Sequence, residues 1–207
     1  VFFNALAHIQ HHYFYNSQVI NSNFKNPEWY IQEKYDPLGE ILIIYDKIIG
    51  DYLNMHEYDL IIATGLRQIP YEKVKFDYRL KDHEDFLNIL KIPFQSVEPR
   101  MTGDFLITFT NSMDTLNAFH ILSDLSTNDG QKIFGKIDNR GNSIFLTLTY
   151  DREINNDIFV FYQNNKLFLK DYTTFVGIKN GKHDGKGYSY FRGKAKNFSL
   201  KKDDHVK

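Results

Sequence analysis

The segment that most limits the possible folds is a long amphipathic helix followed directly by a short apolar strand. Asp36 and Pro37 form a helix start, with a capping oxygen and a first-turn proline, and apolar residues recur at helical spacing up to Tyr52. The next apolar run, Tyr58–Thr64, is short and rich in Ile and Leu, which is typical of a buried strand. Because Val1–Phe3 also has the character of a strand end, the helix between two apolar runs predicts a crossover unit and a parallel sheet.

The pattern changes at Lys73, where strands begin to alternate with short helices. Turn signals such as Asn128-Asp129-Gly130 and Asn139-Arg140-Gly141 separate these elements. The predicted elements are strands at 74–78, 104–110, 133–137, 143–150 and 158–161, and helices at 82–90 and 112–125. Between Met101 and Tyr150 this order is strand, helix, strand, strand, which predicts an inserted α+β layer.

Composition excludes several classes of function. Of the 207 residues, 42% are apolar, which is enough for a sizeable core, and the formal charge of -1 gives no reason to expect nucleic acid or an anionic membrane as a partner. The chain has no cysteine, so disulfides and thiolate metal sites are impossible. No apolar run approaches the roughly 20 residues that span a bilayer. We therefore expect a soluble chain without a membrane span, with the cytoplasm favoured and the oligomeric state open.

A histidine-rich segment near the start of the chain is a candidate metal site. In a helix, Asn4 and His8 lie four residues apart, and His11 and His12 follow one turn later on neighbouring faces. Neutral imidazole binds zinc, iron or manganese, and an amide can donate a hydrogen bond or coordinate weakly. The alternative is that these histidines pack in an aromatic core and make ordinary hydrogen bonds.

A glycine-rich loop near the end of the chain carries a further histidine. His183 and Asp184 lie within the run from Gly181 to Gly187, where three glycines permit close approach of the backbone. A histidine on such a loop can reach a ligand or a metal, although a flexible turn into an edge strand at Tyr188–Phe191 accounts for the run equally well. The chain contains no Gly-x-Ser-x-Gly elbow and no glycine-rich phosphate loop.

Taken in order, these segments resemble the alkaline-phosphatase superfamily, in particular its type I phosphodiesterase and nucleotide pyrophosphatase branch. Asn4-Ala-Leu-Ala-His8 is similar to the family's Asp-x-x-Gly-His motif, with Asn in place of Asp. Leu60–Leu66 occupies the place of the strand that ends in Ser-Asp-His-Gly but lacks that Asp and His. Gly181-Lys182-His183 is similar to the family's late Gly-x-His loop, and His205-Val206 to its closing His-Val pair.

The resemblance implies a three-layer α/β/α sandwich with a mainly parallel sheet. It implies a partial core of residues 1–72 and 176–207 and an inserted α+β subdomain of residues 73–175. The nucleophile would lie upstream of Val1, which agrees with chain ends that predict a segment cut from a longer protein, and no catalytic residue can be identified.

The same resemblance implies a metal-dependent hydrolase of phosphate or sulfate esters. One divalent ion, zinc or else manganese or iron, would be bound by His8 and His183, with Asn4 and His12, or His11 in place of His12, as further ligands. Three residues at the end of the apolar strand would contact a small anionic ester substrate: Thr64, Arg67 and Gln68. The alternative is a member of the family that has lost catalysis and serves as a binding or assembly module.

Overall fold

The chain divides into two compact units. The computed structural model describes residues 3–20, 22–135 and 137–193. Unit 1 consists of Val1–Val74 and Lys179–Lys207, and unit 2 of Lys75–Ile178. The boundaries predicted from the sequence are 72/73 and 175/176. The chain passes from unit to unit twice, within the two longest strands, β2 (Arg67–Leu80) and β9 (Thr173–Asp184), which pair with each other.

Unit 1 contains two main helices and a two-stranded ribbon. The first helix, α1 (Ala5–Tyr13), runs into a single 3₁₀ turn, and α2 (Pro37–Leu53) follows a loop. The predicted start of α2 is confirmed, because the Asp36 side chain accepts a hydrogen bond of 2.8 Å from the Gly39 amide. At 17 residues, α2 is the longest helix of the described chain, and no described helix could serve as a membrane span.

The prediction of a three-layer sandwich with a parallel sheet is wrong. The apolar strand, β1 (Leu60–Thr64), pairs antiparallel with β10 (Tyr188–Arg192), with Leu60 opposite Arg192 and Thr64 opposite Tyr188. The described strands form small sheets in which antiparallel pairing predominates. The expected burial of this strand is also wrong, because no side chain of β1 is buried and Ile61 is 53% exposed. A short apolar run carries no information on the direction of the neighbouring strand. Phe3 is exposed and not in a strand, and Val1 and Phe2 lie outside the described residues.

Unit 2 is built on a four-stranded antiparallel sheet in the order β3-β4-β6-β5. Its strands are β3 (Ser96–Pro99), β4 (Asp104–Thr108), β5 (Asp138–Asn139) and β6 (Ser143–Thr147). The remaining elements are helices α3 (His83–Ile89), α4 (Ser112–Asp124) and α5 (Leu169–Tyr172) and the hairpin of β7 (Phe159–Tyr162) and β8 (Asn165–Phe168). The order strand, helix, strand, strand is present after Met101, although β5 lies later than the run expected at 133–137.

The two units differ in how much apolar surface they bury. In β4 and β6, alternate side chains such as Phe105 and Ile144 are fully buried, so the sheet presents one face to a large core in unit 2. In unit 1 the buried apolar side chains among the described residues are Phe14, Tyr15 and Leu38. Ile43 on α2 remains 72% exposed. Unit 1 therefore depends more than unit 2 on specific polar contacts for its shape.

Replacing Phe105 by Ala is expected to destabilise unit 2 by about 3–5 kcal/mol, because the substitution leaves a cavity in a closely packed core. Urea unfolding measures the loss. Phe161→Ala is the matched control, since this phenylalanine is 60% exposed in the same unit and its removal should cost about 1 kcal/mol or less. Equal losses for the two variants would contradict the assignment of the core.

Candidate functional site

Helix α1 crosses strand β9 at Gly181, where the two backbones come unusually close. A Cβ atom on Gly181 would lie 2.6 Å from the carbonyl oxygen of Gln10, 2.7 Å from Oε1 of Gln68 and 2.8 Å from the ring of Phe14. No other residue type fits here without moving the helix. The glycine of the late loop therefore fixes the distance between α1 and β9.

This crossing brings His11 of α1 against His183 of β9. Nδ1 of His11 donates a hydrogen bond of 3.0 Å to the carbonyl oxygen of Gly181. The His11 ring meets the His183 ring edge to face, with 4.8 Å between the ring centroids. Because Nδ1 carries the proton, Nε2 of a neutral His11 holds the free lone pair. Two imidazole rings that are 172 positions apart in the sequence thus lie in contact in unit 1.

The surroundings of His11 favour its neutral form. Burial is the main cause that lowers the pKa of His11, and the positive fields of His183, His12 and Lys179 lower it further. The hydrogen bond to the Gly181 carbonyl raises the pKa of His11, but less than burial and the neighbouring positive charges lower it. A neutral imidazole is the form that binds a metal ion.

A buried pair of amides holds the end of α1 beside the same strand. Asn180 and Asn26 exchange hydrogen bonds of 2.8 and 2.9 Å through their side chains, and Asn180 is fully buried. Oδ1 of Asn180 also accepts a hydrogen bond of 3.1 Å from the amide of Tyr15, directly after α1. This pair was not predicted from the sequence, because Asn-Gly at 180–181 is typical of a turn and Asn26 lies in a polar segment.

The other predicted metal ligands are engaged elsewhere. The side-chain amide of Asn4 lies 3.2 Å from Nε2 of His8, so the amide occupies the lone pair that His8 would offer to a metal. The ring of His12 lies between those of its neighbours, with its centroid 6.3 Å from that of His11 and 6.2 Å from that of Tyr13. The histidine found beside His183 is His11, which the sequence offered only as an alternative to His12.

The three predicted substrate contacts are all bound to neighbouring groups. Arg67 donates through Nε to Asp184 at 2.6 Å and through Nη1 to the hydroxyl of Tyr188 at 3.2 Å. The hydrogen bond between Arg67 and Asp184 is the main cause that lowers the pKa of Asp184 and raises the pKa of Arg67. Gln68 donates to the carbonyl of Ala7 at 2.8 Å, and the hydroxyl oxygen of Thr64 accepts from the Tyr188 amide at 2.9 Å.

The described residues offer a metal two adjacent imidazoles rather than a complete set of ligands. Within residues 3–20, 22–135 and 137–193, no group of three or more histidine, aspartate or glutamate side chains is close enough to bind one ion. Next to Gly181, however, Oε1 of Gln68 is buried and accepts no hydrogen bond from any described residue. An acceptor of this kind suits a bound water. His205-Val206, the other motif of the resemblance, lies outside the described residues.

Comparison with known proteins gives no relative for this chain. No family model, no curated protein and no solved structure matches it. The function must therefore be argued from the residues and the geometry described above.

Replacing Gly181 by Ala is expected to destabilise the protein by about 1–3 kcal/mol, because the new methyl group would overlap the backbone of α1. Chemical unfolding measures the loss, and NMR contacts between the His11 and His183 rings should weaken with it. Gly185→Ala, directly after the same strand, is the matched control, since a Cβ there meets nothing within 4 Å. A Gly181→Ala variant as stable as this control would contradict the close crossing.

Stability is also expected to fall on acidification. The pKa of His11 in the folded protein lies below its ordinary value of 6.5, so the unfolded chain binds more protons between these two values. The contribution is therefore complete above pH 6.5 and is lost as the pH falls toward the folded pKa. Unfolding free energies measured from pH 8 to pH 5 with a chelator present should show this slope. His11→Gln should reduce the slope, and a slope unchanged by this substitution would contradict the lowered pKa of His11.

Proposed function

We propose that this chain is part of a divergent metal-dependent hydrolase of phosphate or sulfate esters, with one divalent ion bound at His11 and His183. The observation that carries the proposal is the contact between these two imidazoles, which the fold assembles from opposite ends of the sequence. Zinc is the expected ion, and manganese and iron are the alternatives, because all three accept imidazole nitrogen.

The geometry around His11 suits a metal ligand. Protein histidines that bind metals usually donate their second ring N–H to a carbonyl or a carboxylate, which fixes the tautomer and the orientation of the ring. The hydrogen bond from Nδ1 of His11 to the Gly181 carbonyl is of this kind. It leaves Nε2 as the coordinating atom, and the low pKa of the ring keeps that atom unprotonated at neutral pH.

Ester hydrolysis is supported by the order of the motifs rather than by the fold. Asn4-Ala-Leu-Ala-His8 and Gly181-Lys182-His183 resemble two metal-binding motifs of the alkaline-phosphatase superfamily. A bound divalent ion would supply a Lewis acid and ease the deprotonation of water. His8 would join the site only if its Nε2 exchanged the amide of Asn4 for the ion. His12, on the same helix, would be an alternative ligand to His8.

An anionic substrate would replace a carboxylate that is already in place. The guanidinium group of Arg67 binds Asp184 at 2.6 Å, and both side chains are partly exposed. A phosphate or sulfate group offers the same planar guanidinium two oxygen acceptors. Substrate binding would therefore release Asp184 from Arg67. The hydrogen bond of Thr64 to the Tyr188 amide and that of Gln68 to the Ala7 carbonyl would stay in place.

The second candidate is a binding or assembly module without catalysis. It is favoured by the lack of a cluster of three ligands among the described residues and by the neutral Asn4 at a position where the related motif has a carboxylate. Losing one negative charge makes a dication more costly to bind, because its desolvation is less well compensated.

Elemental analysis after loading with zinc, manganese or iron(II) and dialysis tests the metal site. The unaltered protein is expected to retain about one ion per chain. His11→Ala and His183→Ala should each lose most of it, whereas His56→Ala, an exposed histidine of the same unit, should keep it. Hydrolysis of aryl phosphate mono- and diesters and of an aryl sulfate then separates the two candidates. Metal without hydrolysis supports the binding module, and no metal in the unaltered protein refutes the proposed site.

A further inference from the structure

Unit 2 contains a cleft whose lining has the chemistry of a site for a small anion. The cleft has a volume of ≈ 360 Å³ and is lined by Arg79, Thr102, Phe175 and Val176. The lining combines an arginine, a threonine and two apolar residues, and no carboxylate is among the described residues that line it. A volume of this size suits a small organic molecule. All four residues belong to unit 2, so the cleft is separate from the imidazole pair of unit 1.

The guanidinium group of Arg79 is available to a ligand. Arg79 lies near the end of β2, and its guanidinium group makes neither a hydrogen bond nor an ion pair with any residue that the structure describes. Its charge also contributes to the low pKa of nearby His83, where burial is the main cause and Asp82 acts in the opposite direction. The guanidinium group of Arg79 thus lines the cleft without an ion pair to any described residue.

Close packing holds Thr102 beside Arg79. A Cβ on Gly103 would lie 2.9 Å from the carbonyl oxygen of Tyr78, the residue before Arg79, so the turn that carries Thr102 rests directly on β2. The carbonyl of Gly103 also accepts a hydrogen bond of 3.0 Å from the amide of Leu148. These contacts hold Thr102 at a φ of 61°, in the left-handed region that β-branched residues rarely adopt. Strain of this kind is concentrated at ligand sites in proteins.

Two consecutive residues of β9 complete the lining of the cleft. The ring of Phe175 meets that of Tyr78 edge to face, with 5.9 Å between the centroids, which anchors Phe175 to the core of unit 2. Val176, the next residue of β9, remains 45% exposed. The side chain of Val176 can therefore cover part of a ligand's hydrocarbon body, while Phe175 fixes the strand against the core.

We propose that this cleft binds a small organic carboxylate with an apolar body. The guanidinium group of Arg79 binds both carboxylate oxygens, the hydroxyl of Thr102 donates to one of them, and the exposed side chain of Val176 covers part of the hydrocarbon body. The recognition is reversible and involves no covalent step.

Titration with benzoate, followed by NMR and by calorimetry, tests the proposal. Benzoate should shift the resonances of the four lining residues, and benzamide, its neutral analogue, should not. Arg79→Gln should weaken benzoate binding by about tenfold or more, because a charge-assisted pair of hydrogen bonds is lost. Arg100→Gln, at an arginine of the same unit that is paired with Glu98, should leave the affinity unchanged. Equal binding of benzoate and benzamide, or no binding of benzoate, would overturn the proposal.

A second variant separates loss of binding from loss of folding. Thr102→Gly relieves the backbone at φ 61° and should raise Tm by about 1–4 °C. The same change removes the hydroxyl donor, so benzoate affinity should fall severalfold while stability rises. Unchanged affinity in this variant would show that Thr102 takes no part in the site.

Discussion

The crossing of α1 over β9 at Gly181 is the contact on which the candidate metal site of unit 1 depends. Because a side chain at this position would overlap the backbone of α1, only glycine allows His11 to reach the Gly181 carbonyl and the ring of His183. The pair of Asn26 and Asn180 secures the same crossing with buried hydrogen bonds. Either amide left without its partner would be a buried polar group at substantial cost in free energy.

Two kinds of stabilisation coexist in this chain. Unit 2 buries alternate side chains of an antiparallel sheet in a large apolar core, so many small contacts contribute to its stability. Unit 1 buries few apolar side chains among its described residues and is organised by polar contacts at defined positions. An imidazole held in this way, such as His11, keeps one ring nitrogen available to a ligand. A large core provides instead the rigid frame that can hold a strained residue such as Thr102.

The site residues show where sequence patterns succeed and where they mislead. The glycine-rich loop at 181–187 was singled out for close backbone approach, and Gly181 and Gly187 both have backbone atoms where a Cβ would lie. The spacing of Asn4 and His8 predicted that the two would meet, and they do, but they bind each other. Helical spacing places His11 and His12 on neighbouring faces without deciding which one faces β9. That choice depends on the rotation of α1 about its axis, which is set by the packing of Phe14 and the hydrogen bonds of Asn180.

The sequence by itself determined the local elements of this protein. The capped start of α2, the strand at β1 and the alternation of strands and helices after Lys73 follow from side-chain properties that act over a few residues. Only the tertiary structure decided the antiparallel pairing of β1 with β10, the meeting of His11 with His183 and the placing of Thr102 beside Arg79. The physical reason is that strand direction and contacts between distant segments depend on which surfaces fit together. Local apolar patterns favour burial of a surface but do not specify its partner, and in β1 they did not lead to burial, since Ile61 is 53% exposed.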